Sequence, residues 1–311
     1  MLTVIMPVFE EADQISGNVT RVHSILADAD IDHQFLLVDD GSMDNTWDEI
    51  CKTTQALDNV AALRLSRNFG KESAICAALQ RCTGDAALII DSDLQHPPEL
   101  IPEMVRLWRE EGYQVVEGVK QDRGREGVMS KLFAGLFYRI FRRLTGIDIG
   151  VASDFKLLDK TVVDAWRTMP EIDTFFRGMS AWLGFRHVQV PFTVAPRAAG
   201  RSKWSFRKLL RLAANSITAY TATPLYIVAI LGAILMIGAL VLFVQTLINK
   251  LLGIASGGFT TVIILQLLIG SCVMLSLGII GVYLSKIYEE TKRRPRFVVC
   301  DVRKPGLMEQ G

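Results

Sequence analysis

The stretch "LIIDSDLQHPPEL", residues 88–100, decides the fold. Its apolar start reads as the end of a buried strand, and it runs straight into Asp91-Ser92-Asp93, then Gln95 and the pair Pro97-Pro98. Two like charges this close at the edge of a core suit turn formers, helix caps or ligands of a cation. The same grammar recurs upstream and downstream. Predicted strands at Thr3–Val8, Gln34–Asp39, Val60–Leu65, Ala86–Asp91 and Gln114–Gly118 alternate with helical patterns near 11–28, 43–56, 70–82 and 98–111. Alternation of this kind predicts an α/β domain with a mostly parallel sheet, and such sheets bind ligands beyond the carboxyl ends of their strands.

The polar residues follow that rule. Successive predicted strands end in Pro7-Val8-Phe9-Glu10-Glu11, Asp39-Asp40-Gly41-Ser42, Ser66-Arg67-Asn68-Phe69-Gly70-Lys71 and Asp91-Ser92-Asp93. Each alone is ordinary turn or cap chemistry. Together they bring acidic and basic groups to one rim. No GxGxxG follows the first strand and no GxxxxGK[ST] occurs, which excludes the dinucleotide and P-loop devices. A phosphate would be repelled by Asp91 and Asp93 unless a cation intervened. Two carboxylates on a short turn, with substrate phosphates completing the shell, suit Mg²⁺ or Mn²⁺. The expectation is a metal–nucleotide site.

The 311 residues carry a net charge of +1, so there is no global pull toward nucleic acid, and none is expected as a partner. The charge is unevenly spread: from Thr223 to Leu284 the only charged residue is Lys250. The runs 223–248 and 262–284 each exceed the roughly 20 apolar residues that cross a bilayer as a helix. A buried hairpin of a soluble protein is the alternative, but two such uncharged runs favour membrane spans. Arg197, Arg201, Lys203, Arg207, Lys208 and Arg211 precede the first run; Lys286, Lys292, Arg293, Arg294 and Arg296 follow the second. The positive-inside rule then places the N-terminal domain and the C-terminal segment in the cytoplasm, as in a bacterial inner-membrane protein. The expected layout is a domain over 1–200, an amphipathic juxtamembrane helix over 201–222, two transmembrane helices within 223–284, and a tail over 285–311. Residues 130–144 and 203–217 read as basic amphipathic helices, suited either to an anionic membrane surface or to subunit packing. The five scattered cysteines form no CxxC and read as free thiols. "MLTVIMPVFEEAD" has no basic leader and reads as a strand, not a signal peptide.

Several stretches carry a resemblance. "VIMPVFEE", "VDDGSMDNT", "LSRNFGKESAICAAL" and "DSDLQHPPE", in this order, resemble family 2 glycosyltransferases of the GT-A fold. "SDFKLLDK" (153–160), "FFRGMSAWLGF" (175–185) and "RAAGRSKWSFRKL" (197–209), ahead of two apolar runs, resemble the polyprenyl-phosphate branch, which includes bactoprenol glucosyltransferases and dolichol-phosphate mannose synthases. The resemblance implies a catalytic domain that moves one sugar, with inversion, from a UDP- or GDP-sugar to undecaprenyl phosphate or a related polyprenyl phosphate, with UDP-glucose the favoured donor. It implies that Asp91, Asp93 and Gln95 hold the metal, with Asp93 and Asp154 as the catalytic pair and Asp154 in the place of a proposed base. It assigns Pro7, Phe9, Glu11, Asp39, Asp40, Lys71, Asp91 and Lys120 to the nucleotide-sugar, and Arg197, Ser202 and Lys203 to the acceptor phosphate. It also suggests a homo-oligomer, with a tetramer as the assembly that relatives suggest. Glu10 stands where relatives carry asparagine, Phe9 where they carry tyrosine, and Lys120 where many carry arginine. A processive polysaccharide synthase of the same fold is one rival, although no QxxRW motif is present; a non-catalytic nucleotide-binding scaffold is another.

Overall fold

A computed structural model describes residues 1–120, 139, 143, 153–171, 176–192, 221–252 and 258–304, with the backbone alone for 259–261. Arg197, Ser202 and Lys203 lie outside the described residues, as do nearly all of the two expected amphipathic helices.

The apolar run at the N-terminus forms strand β1 (Leu2–Val8), buried along its whole length. Burial on both faces is what the centre of a parallel sheet requires, so the run is continuous rather than alternating. Helix α1 (Ile15–Asp28) follows and buries Ile15, Val19, Val22 and Leu26, one stripe at helical spacing. The pattern repeats through β2 (His33–Asp39), α2 (Thr46–Ala56), β3 (Val60–Leu65), α3 (Lys71–Arg81) and β4 (Ala86–Ile89). A 3₁₀ turn at Pro98–Leu100 leads into α4 (Ile101–Glu111), and β5 (Val115–Lys120) comes next. The expected strands and helices up to residue 120 are therefore present, with ends moved by a few residues. Strand β4 stops two residues short of Asp91, which leaves Asp91-Ser92-Asp93 wholly in the turn.

Beyond residue 152 the chain adds elements that hydrophobic periodicity does not announce. These are β6 (Lys156–Asp159), α5 (Lys160–Arg167), α6 (Phe176–Trp182) and β7 (His187–Phe192). Strand β6 pairs antiparallel with both β4 and β5, and β7 runs parallel to β5. The stretch 285–311, expected as a tail, supplies an edge strand instead: β8 (Val299–Arg303) pairs antiparallel with β3. The eight strands stand in the order β7-β5-β6-β4-β1-β2-β3-β8, a mixed sheet whose β3-β2-β1-β4 centre is parallel.

The chain divides into two units: Met1–Lys203 with Pro295–Gly311, and Trp204–Arg294. The second contains α7 (Thr223–Leu251) and α8 (Phe259–Thr291), both longer than the apolar runs. The most apolar 18-residue stretch of each has a mean hydropathy of 3.1 and 2.5 respectively, and neither stretch is buried. At 1.5 Å per residue each exceeds the roughly 30 Å of a bilayer core. Both are thus long and apolar enough to cross a membrane.

Candidate active site

The strand ends of β1, β2, β3 and β4 open on one cleft of about 320 Å³. Strand β1 contributes Pro7 and the turn after it Phe9 and Glu11; the turn after β2 contributes Asp40; the loop after β3 contributes Asn68, Gly70 and Lys71; the turn after β4 contributes Asp91, Ser92 and Asp93. Parallel pairing in register produces this: Val8 lies opposite Asp39, and β4 pairs with the other edge of β1, so the residues beyond each strand emerge on one side.

The floor of the cleft is tied together by short polar side chains. Ser92 Oγ donates to the Pro7 carbonyl at 3.0 Å, and Asn18 Nδ2 donates to the Ser92 carbonyl at 2.6 Å. The β1–α1 turn is held by Ser42 Oγ, which accepts from Glu10 N at 3.0 Å, and by Thr46 Oγ1, which accepts from Glu11 N at 2.9 Å. Glu10 has φ 54°, a left-handed conformation that asparagine adopts at lower cost. Leu94, in the turn after Asp93, is also left-handed at φ 47°.

The two aspartates of the second strand end divide the work. Asp39 is fully buried; it accepts from Ser42 N at 3.0 Å and lies 3.2 Å from Arg64 Nε, so it closes the turn beneath the cleft and does not line it. Asp40 faces the cleft and accepts from Phe69 N and Gly70 N, both at 2.8 Å. These bonds fix the loop after β3 against the one after β2. Gly41, at φ 70°, permits the approach: a Cβ there would stand 2.3 Å from the Arg67 carbonyl carbon. Burial raises the pKa of Asp40, against the lowering effect of the two backbone N–H groups. Burial likewise raises that of Glu11, helped by the charges of Asp93 and Asp91.

Lys71, the first residue of α3, joins the cleft to the rest of the sheet. Its Nζ lies 2.5 Å from Asp91 Oδ1 and 2.7 Å from Asp154 Oδ2. Burial alone would lower its pKa, but the two carboxylates outweigh burial and hold it above the ordinary lysine range. Asp154 is brought in by β6, which lies beside β4. It receives Arg177 Nε at 2.7 Å and Nη2 at 3.0 Å as well as Lys71. Burial opposes its ionisation; Arg177 and Lys71 overcome that and hold it well below the usual carboxylate range. Successive residues here serve opposite faces, as a strand requires. Phe155 packs into the core, while Lys156 is buried in a pair with Glu117 at 3.3 Å and donates to Ser180 Oγ at 2.7 Å. Glu72 accepts from Phe176 N at 2.7 Å, and burial lifts its pKa to about 7.

The cleft thus gathers Pro7, Phe9, Glu11, Asp40, Lys71, Asp91 and Asp93 from the expected set. Asp154 reaches it only through Lys71. Asp39 lies beneath it, and Lys120 and Gln95 are exposed and do not line it. Glu72, His96, Glu117, Lys156 and Arg177 receive no role from sequence reading. Glu117, Lys156 and Arg177 carry a signal, a charged group within a mostly apolar stretch, such as the arginine of "FFRGMSAW"; Glu72 and His96 sit among polar residues and carry none.

The residues fit a divalent cation by donor chemistry. Asp91 and Asp93 offer hard oxygen donors on one turn, and Glu11 Oε2, in the same cleft, is buried without a hydrogen-bond partner. Among the described residues no group of three or more His, Cys, Asp or Glu forms a complete cage. A site that takes one or two carboxylates and leaves the rest of the shell to substrate phosphates is the usual way magnesium is held.

An α/β sheet with acidic strand ends around one cleft defines a ligand-binding domain of the doubly wound class, and comparison with known proteins makes the assignment. Residues 3–166 match the model of glycosyl transferase family 2. The chain belongs to that family and is a glycosyltransferase. It is 36% identical to an uncharacterized glycosyltransferase of Synechocystis over 97% of this chain and 95% of the other. It is 34% identical to an uncharacterized glycosyltransferase of Bacillus subtilis over 96% and 92%. It is 30% identical to a prophage bactoprenol glucosyl transferase homolog of Escherichia coli over 97% and 99%. Among solved structures, a mannosyltransferase of Pyrobaculum calidifontis in complex with GDP-Man and Mn²⁺ is 15% identical, with a TM-score of 0.48 over 89% of this chain and 86% of that one.

Proposed function

We propose that this protein transfers a single sugar, with inversion and with a divalent metal, from a nucleotide diphosphate sugar to undecaprenyl phosphate or a related polyprenyl phosphate at the cytoplasmic membrane face. UDP-glucose is the favoured donor. The observation that carries the reading is the cleft in which Glu11, Asp40, Lys71, Asp91 and Asp93 converge. Support for the lipid acceptor comes from α7 and α8 and from similarity to a relative named for bactoprenol glucosyl transfer.

In this reading Pro7, Phe9, Glu11 and Asp40 receive base and ribose, and Asp91 and Asp93 hold Mg²⁺ or Mn²⁺ against the diphosphate, with Gln95, outside the cleft lining, retained as a ligand on sequence alone. The metal, when bound, stabilises negative charge on the leaving diphosphate. Lys71 is held charged by two carboxylates and supplies a second positive charge there. Asp154 serves best as the anchor of Lys71 and Arg177, because a carboxylate held so far below the usual range is a poor base. The acceptor needs little help: a phosphate monoester has its second pKa near ~6 and is largely a dianion at pH 7. Arg197, Ser202 and Lys203 are retained on sequence alone as acceptor-phosphate contacts.

The test is sugar transfer from labelled UDP-glucose, and from a panel of other UDP- and GDP-sugars, to short-chain polyprenyl phosphate. Transfer should stop with EDTA and in Asp93→Ala. Full activity in either case would remove the metal assignment, and transfer to no polyprenyl phosphate from any donor would remove the acceptor.

A further inference from the structure

The geometry points to His96 as a positioning residue that sets the orientation of the Asp91 carboxylate, an inference that rests on the donor cleft proposed above. The imidazole is held by an aromatic cradle. Its ring stacks on Phe155, with centroids 5.4 Å apart at 29°, and meets the edge of Phe192 at 5.6 Å and 73°. Phe155 and Phe192 pack edge to face at 6.4 Å and 82°. Strand β5 makes room for this: a Cβ on Gly118 would lie 2.4 Å from Phe155 Cδ1. Three neighbouring strands, β5, β6 and β7, therefore fix one ring plane.

One nitrogen of that ring lies beside Asp91. Nδ1 is buried and has no hydrogen-bond partner. It lies 3.8 Å from Asp91 Oδ2, while the other oxygen of the same carboxylate lies 2.5 Å from Lys71. Asp91 is thus flanked by a lysine on one oxygen and a ring nitrogen on the other. A modest rotation of the carboxylate brings Oδ2 into hydrogen-bond range of an Nδ1–H donor. Groups that hold a ligating carboxylate from behind set the direction of its lone pairs, and their loss weakens metal binding about 10–100-fold. A purely packing role would need neither a buried nitrogen nor its placement beside the carboxylate.

The test uses the full chain in detergent. Mn²⁺ is titrated in the presence of UDP, with GDP as a parallel arm, and free Mn²⁺ is read by electron paramagnetic resonance. His96→Phe keeps the stack and removes the nitrogen; His96→Asn puts an amide nitrogen near the place of Nδ1. We expect His96→Phe to weaken Mn²⁺ binding at least tenfold, and His96→Asn to return it to within about threefold of wild type. Thermal unfolding accompanies each variant, and His96→Leu replaces His96→Phe if the latter does not fold. Wild-type Mn²⁺ affinity in the apolar variant, or an asparagine variant as weak as it, overturns the inference while leaving the cleft reading in place. Failure of the wild type to bind Mn²⁺ with either nucleotide overturns both.

Discussion

Glu72→Gln should stabilise this protein at pH 8 and do little at pH 5. Glu72 is half-buried beside Asp154, Arg177 and Lys71, and it accepts a 2.7 Å hydrogen bond from Phe176 N. Burial is the main reason its pKa rises from 4.5 to about 7; the Asp154 charge adds to this, and the Phe176 N–H, Arg177 and Lys71 oppose it. The folded pKa lies above the unfolded one, so the folded chain holds the proton more tightly. Between those two values the unfolded chain releases the proton first, and stability falls as pH rises. The full interval corresponds to about 3 kcal/mol, of which about 2 kcal/mol develops between pH 5 and pH 8. Glutamine keeps a carbonyl acceptor for Phe176 N and cannot ionise. The full chain in detergent would be unfolded by heat at several pH values, and the difference between variant and wild type taken at each. A gain of about 2 kcal/mol corresponds to roughly 4–8 °C for a unit of this size. Taking the difference removes other titrations, such as half-buried His33 and His96, whose pKa values burial lowers and which act in the opposite sense. A variant no more stable than wild type at pH 8, or a gain independent of pH, would refute the reasoning.

Asp154→Asn leaves Lys71 and Arg177 facing each other without their shared carboxylate and should lower sugar transfer at least about 100-fold. Its residual activity should show the same dependence on pH between 5 and 8 as wild type, because Asp154 is ionised throughout that range; loss of an acidic limb would make it a base after all. Gly41→Ala forces a left-handed alanine whose Cβ meets the Arg67 backbone at 2.3 Å. It should cost about 2 kcal/mol or more in thermal unfolding and weaken nucleotide binding, since the loops after β2 and β3 would have to separate.

Much of the first unit was legible because its signals are local. The strand from Leu2 to Val8 is buried on both faces and reads as an unbroken apolar run; α1 carries a stripe at helical spacing. Strand ends that emerge from parallel neighbours share a rim by topology, so Glu11, Asp40, Lys71, Asp91 and Asp93 could be grouped before any coordinates. Asp39 and Asp40 show the limit. Adjacent and chemically identical, they part only because one side chain points beneath the sheet end toward Arg64 and the other into the cleft. Lys120 and Gln95 had the right chemistry and the right order in the chain, yet neither lines the cleft.

By itself, then, the sequence determined the alternating core, the acidic rim and the two long apolar helices, since periodicity, turn chemistry and unbroken hydrophobicity are properties of neighbouring residues. Tertiary structure alone decided the insertion of β6 between β4 and β5, which carries Asp154 to Lys71 across a separation of 83 residues. It alone placed β8 on the edge of β3, and Gly118, Phe155 and Phe192 around His96. Strands of four or five residues, paired antiparallel with distant partners, carry too little periodicity to be read. Their places are set by which sheet edge remains open once the parallel core has formed.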